Sequence, residues 1–147
     1  MCEKVPIYVA LAARLPYGSW INHCAFLARC VSSGLLNRCE YSLYSLHDFS
    51  KGPQRDHAVE IIRKYSLTVV AQYFILAGSK IHKELVENPE CMVKRHAGID
   101  TWMLWEMRLK DVVDSEDAGS ELACMARKAH EKMRFIRCAT YTFFNFR

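Results

Sequence analysis

No apolar run in this 147-residue chain approaches the ~20 residues that a membrane-spanning helix needs, because charged or polar residues interrupt each one. The longest near the start lies between Pro6 and Arg14. Glu3 precedes it and no small-residue cleavage site follows, which argues against a secretory signal. Glycine and proline are scarce, at six and four, and the glycines are isolated, so no phosphate-cradling loop of the Walker or Rossmann type is present. GxSxG and HExxH are absent as well. The net charge of +4 is too small to name a partner. Seven cysteines are present, but the count is odd and no CxxC pair occurs, which removes the zinc-knuckle and thioredoxin patterns. Most lie within apolar stretches, where a reduced thiol packs as a small hydrophobe. The expectation is therefore a soluble protein of a reducing, cytoplasmic compartment.

What is present suits a compact fold. Hydrophobic residues make up 51% and charged residues 24%, an ordinary globular balance. A chain of this mass can bury roughly two-thirds of its unfolded surface, enough for a core without staples. No repeat, low-complexity tract or linker divides it, so we expect a single domain over 1–147.

The apolar periodicity reads as all-α. Ser19 can cap a helix from Trp20 to about Ser33, with Gly34 as its stop. Ile21, Cys24, Ala25, Ala28 and Val31 follow the i, i+3, i+4 rule along it. A shorter helix is expected from Arg38 to Phe49, closed by Lys51-Gly52-Pro53, and a third from near Gln54. The run LTVVAQYFIL at 67–76 has the composition of a buried strand, but no partner strand of matching quality lies nearby. A buried helix continuing to about Val86 is the better reading. Met92 to Arg108 reads as a helix carrying Trp102 and Trp105, both expected in the core. DSEDAGS at 114–120 is a loop or a helix start, and Glu121 to Ile136 is an amphipathic helix with Leu122, Met125, Ala129 and Met133 on one side. The ending CATYTFFNF alternates roughly and suggests a short strand.

One constellation points to chemistry. His47 and Asp48 are adjacent in YSLYSLHDFSKGP, with Lys51 three residues on and His23 upstream in the preceding helix. Asp111, Asp114 and Asp117 follow downstream, and local physics does not separate them. Imidazole and carboxylate together suit divalent Mn, Fe, Ni or Zn. Asp48 near a helix C-terminus runs against the macrodipole, which asks for a compensating cation. His47 alone would be favourable there, and the later aspartates could simply open the last helix. Cys24 adjoins His23, but neighbours on a helix face different ways, so the two make a poor nucleophile pair.

These residues resemble the HD-domain metal-dependent phosphohydrolases, which carry a His in one helix, a His-Asp doublet at the end of the next and a later Asp. The match runs over about 18–120, through His23, SLHDFSKG at 45–52 and VDSEDAG at 113–119, with HAVEIIRKY at 57–65 as a looser likeness. Ser50 stands where glycine is common in the family. The resemblance implies a divalent metal (Mn, Fe, Ni, Zn or Mg) on His23, His47, Asp48 and Asp114, and a nucleotide or related phosphate ester as substrate. Asp48 would orient a metal-bound hydroxide, and Lys51 and Arg55 would neutralise the phosphate oxygens. Members with more metals add histidines from mid-domain. His57, His82 and His96 fall there but lack the family's paired spacing.

Two other readings rest on different residues. A compact all-helical chain with buried-type cysteines and an aromatic end suits a non-catalytic interaction factor of regulatory or viral type. The last stretch also mixes Arg127, Lys128, Lys132, Arg134, Arg137 and Arg147 with Tyr141, Phe143, Phe144 and Phe146, a mixture that binds single-stranded nucleic acid through phosphates and stacked bases. Glu121 and Glu131 dilute it.

Overall fold

The computed structural model describes residues 17–36, 60–87 and 99–144. Four helices are present among them: α1 (Tyr17–Ser32), α2 (Glu60–Glu87), α3 (Ile99–Ser115) and α4 (Glu121–Phe144). The all-α reading holds, and none of these helices is long and apolar enough to cross a membrane. The helix expected at 38–49 and the start of the next lie outside the described residues.

Helix α1 buries Cys24, Ala25, Ala28 and Val31, the face its periodicity predicts, while Ile21 is half-buried. It ends where Gly34 takes φ +79°, a left-handed conformation that costs glycine no Cβ clash. The amides of Ser33 and Gly34 donate to Arg29 and Val31 carbonyls, closing the turn.

LTVVAQYFIL is helical, and it forms the middle of α2, 28 residues long. Leu67 to Ala71 are buried without a break, so this helix is enclosed on more than one side, as a helix apolar all round must be. Its buried hydroxyl is satisfied locally, since Thr68 Oγ1 donates to the Lys64 carbonyl at 2.8 Å. Helix α2 packs against α1 and α4 and meets α3 as well, while α3 packs mainly on α4. Gly78 is the close approach. A Cβ there would stand 3.0 Å from Ile136 Cδ1 of α4 and 3.9 Å from Trp102 Cη2 of α3. Phe74 meets the rings of Trp102 and Trp105 at 5.6 and 5.7 Å, joining α2 to α3 at the centre of the core.

Helix α3 runs on to Ser115, past the expected end at Arg108. DSEDAGS then resolves into the end of α3, a turn and a cap. Ser120 Oγ accepts from the Ala123 amide at 3.1 Å and Glu121 occupies the first turn of α4, where a carboxylate is welcome.

The expected C-terminal strand is not there. Helix α4 continues through CATYTFF to Phe144. Thr140 and Thr142 turn their hydroxyls back onto the carbonyls of Ile136 and Cys138 at 2.9 and 2.8 Å, which satisfies both hydroxyls within the helix. No strand is available to pair with it among the described residues.

Candidate functional site

Of the residues expected to form the metal site, His47, Asp48, Lys51 and Arg55 lie outside the described residues, as do His57 and His96. His23 is exposed on α1. Asp114 is exposed near the end of α3, where Lys110 Nζ, one turn earlier, grips both its carboxylate oxygens at 2.8 and 3.0 Å. Asp111 is exposed on the same helix, and Asp117 accepts from the Ser120 amide through its carbonyl within the turn. Among the described residues no three His, Cys, Asp or Glu side chains gather as a metal would require.

His82 is a core residue. It is 4% exposed, and its ring stands edge-on to Trp102 with centroids 4.7 Å apart. Burial lowers its pKa, because the cationic imidazolium would lose its hydration there. Its Nε2 and the Nε1 of Trp102 are both buried without a hydrogen-bond partner among the described residues. Trp102 and Trp105 are fully enclosed, as the sequence suggests.

The cysteines divide. Burial pushes the Cys24 thiol up to about 11, so it packs as a neutral hydrophobe. Cys124 and Cys138 instead lie exposed on α4, against the expectation for a buried-type cysteine. The positions are two seven-residue intervals apart, and both fall on the solvent side of the helix.

A cleft of about 200 Å³ opens between Lys64 and Thr68 of α2 and the turn into α4, at Glu116, Ser120, Glu121 and Leu122. Glu116, on its rim, is held by Arg63. It is smaller than the ~300–1,000 Å³ usual for small-molecule sites.

The distinctive surface is the outward side of α4. Arg127, Lys128, Lys132 and Arg134 are all exposed there, and among the described residues none of them takes part in an ion pair. Elsewhere Lys80, Lys83 and Lys110 are each matched by a carboxylate one turn along their own helix. Phe135 stands 71% exposed among the α4 cations and Tyr141 50% exposed beyond them. Arg137, which the sequence groups with these residues, is excluded from the face. It turns inward and donates from Nε and Nη2 to the two carboxylate oxygens of Glu106 at 2.9 and 3.0 Å, a two-pronged bond tying α4 to α3. That pair spans 31 residues, and no local pattern in the sequence marks it. The side chains of Phe143 and Phe144, and residues 145–147, lie outside the description.

No curated protein and no solved structure matches this chain. Residues 10–109, which take in α1, α2 and most of α3, match a family described as a protein of unknown function, DUF3632. That stretch spans more than half of the sequence, and the chain belongs to the DUF3632 family.

Proposed function

We propose that this chain is a non-catalytic helical binding factor whose working surface is the outward face of α4. One observation carries the reading. Four cations that have no carboxylate partner among the described residues share that face with two exposed aromatic rings, while the core side of the same helix is packed against α2 and α3. Cations left unpaired on one face raise the local potential and attract anionic macromolecules. The double variant Lys128→Glu, Lys132→Glu should leave an immobilised polyanion such as heparin at much lower salt than the wild type. A control, Lys80→Glu with Lys83→Glu on α2, changes net charge equally but touches another surface. Elution of the two variants at the same salt would show that net charge alone governs retention, and would remove the α4 face as the working surface.

The second reading is the HD-type phosphohydrolase, favoured by the spacing of His23, His47, Asp48, Lys51 and Asp114 in a chain whose fold is all-α. The donor set of imidazole nitrogens and carboxylate oxygens suits a divalent cation. A metal bound there would polarise a phosphoryl oxygen and activate water. Asp114 would have to leave Lys110 to serve, while Lys51 and Arg55 would hold the phosphate of a nucleotide. Thermal unfolding tests it without an activity assay. Near 100 times Kd, Mn²⁺ should stabilise the wild type by about 2.7 kcal/mol, and Asp48→Ala should abolish the effect. For a domain this size that is roughly 5–10 °C. No shift with Mn²⁺, Ni²⁺, Zn²⁺ or Fe²⁺ would end the reading.

A further inference from the structure

The outward face of α4 has an internal order that narrows its partner. Positions seven apart on an α-helix fall within about 20° of one another and about 10.5 Å apart along the axis. Two such rows run along the face. Arg127, Arg134 and Tyr141 form one, and Lys128, Phe135 and Thr142 the other, with all six side chains exposed. Lys132 lies one turn before Phe135. Each row begins with a cation towards the N-terminal half and carries its aromatic ring further along.

The surroundings of Phe135 separate two kinds of partner. A protein-docking hot spot excludes charge from its centre and sits among other apolar groups. Phe135 instead has Glu131, Lys132 and Arg134 within one turn before it, and Cys138 and Ala139 after it. A lone exposed ring with cations beside it matches the other pattern, in which phosphates take the cations and an unstacked base takes the ring. A duplex hides its base faces, so a ring on a convex helix can stack only on a single strand. Glu131 is the one carboxylate between Leu122 and Phe144, and its three nearest basic neighbours along the helix offset it.

We propose that the rows Arg127–Arg134–Tyr141 and Lys128–Phe135–Thr142 of α4, with Lys132 beside them, bind single-stranded nucleic acid, with backbone phosphates on the four cations and bases stacked on Phe135 and Tyr141. The proposal rests on the reading of this face as the working surface. Cations for phosphates and rings for base faces are both indifferent to base identity, so recognition tolerates sequence, and DNA and RNA share the chemistry.

Fluorescence anisotropy with labelled oligothymidylate and oligouridylate, and competition by linear polyphosphate, tests it on the full chain. Four phosphate contacts predict a slope of log affinity on log salt of about −2 to −3. Phe135→Ala should weaken oligonucleotide binding about tenfold and leave polyphosphate binding unchanged. Because Phe135 is exposed, this variant should unfold at the wild-type temperature. Lys128→Glu with Lys132→Glu should weaken both ligands. Preference for oligothymidylate or for oligouridylate identifies which strand fits better, and either supports the proposal. If polyphosphate competes as well as an oligonucleotide and Phe135→Ala changes neither, nucleic-acid recognition is overturned while the anion-binding face stands. Tighter binding to a duplex than to its single strand also overturns it. If no polyanion binds, the proposal and the reading beneath it both fall.

Discussion

Trp102→Ala should lower the free energy of unfolding by about 3–5 kcal/mol, the range for removing a large aromatic side chain from a closed core. The ring is wholly enclosed, meets Phe74 at 86° and His82 at 85°, and approaches α2 where Gly78 lacks a side chain. Helices α2 and α3 lose the contact that joins them, and the rigid backbone of α2 beside Gly78 gives the cavity little means of collapse. Trp102→Phe is the informative companion. It removes less volume and also deletes the Nε1–H, which finds no acceptor among the described residues, so its cost should be under half that of alanine. Urea unfolding followed by circular dichroism reads both, provided the slope with denaturant stays constant. A loss below about 1.5 kcal/mol for the alanine variant would mean that Trp102 does not sit in a closed core.

The second large effect is a dependence on pH. His82 is held neutral by burial, with its pKa below the 6.5 of the unfolded chain. Between the folded and unfolded pKa values, the unfolded chain binds more protons at this site. Stability is therefore fully present above about pH 6.5 and falls as the pH drops towards the folded pKa, by up to about 1.4 kcal/mol per pH unit for one proton. His130 on α4 contributes in the same sense, its pKa lowered chiefly by burial. His82→Phe keeps a ring against Trp102, so it should flatten the profile below about pH 6.5 without abolishing the part owed to His130. A profile in His82→Phe as steep as that of the wild type would place the acid sensitivity elsewhere.

Most of the secondary structure was legible locally. Cys24, Ala28 and Val31 on α1, and Leu122, Ala129 and Met133 on α4, are buried as their spacing predicts, because the helical period is written in residues three and four apart. LTVVAQYFIL could be read as a helix despite its β-branched content because nothing nearby offered it a strand to pair with. CATYTFFNF alternates roughly, as a strand would, yet the preceding helix runs on through it to Phe144. Threonines that bond back to their own helix do not announce themselves in the letters.

The candidate sites were legible in a different degree. His82 looks like any mid-domain histidine in sequence. Only its enclosure against Trp102 makes it a core group rather than a ligand candidate. Asp111, Asp114 and Asp117 are equivalent by local physics, yet one is gripped by Lys110 and another serves the turn before α4. Arg137 belongs by sequence to the basic cluster of the last helix, and Glu106 removes it from that cluster across 31 residues.

Near-neighbour chemistry is enough for the all-α class, the core faces of α1 and α4 and the stop at Gly34, since periodicity and capping are properties of residues close in sequence. It leaves 114–120 open between a loop and a helix start, which the fold resolves into the end of α3, a turn and a cap. Lys80, Lys83 and Lys110 find carboxylates one turn along their own helices, as near-neighbour spacing allows. The pairs that join distant segments, Arg137 with Glu106 and Arg63 with Glu116, depend on where those segments cross, and only the tertiary fold fixes that. The face proposed for binding on α4 is what remains once Glu106 has claimed Arg137, while Arg127, Lys128, Lys132 and Arg134 have no carboxylate partner among the described residues.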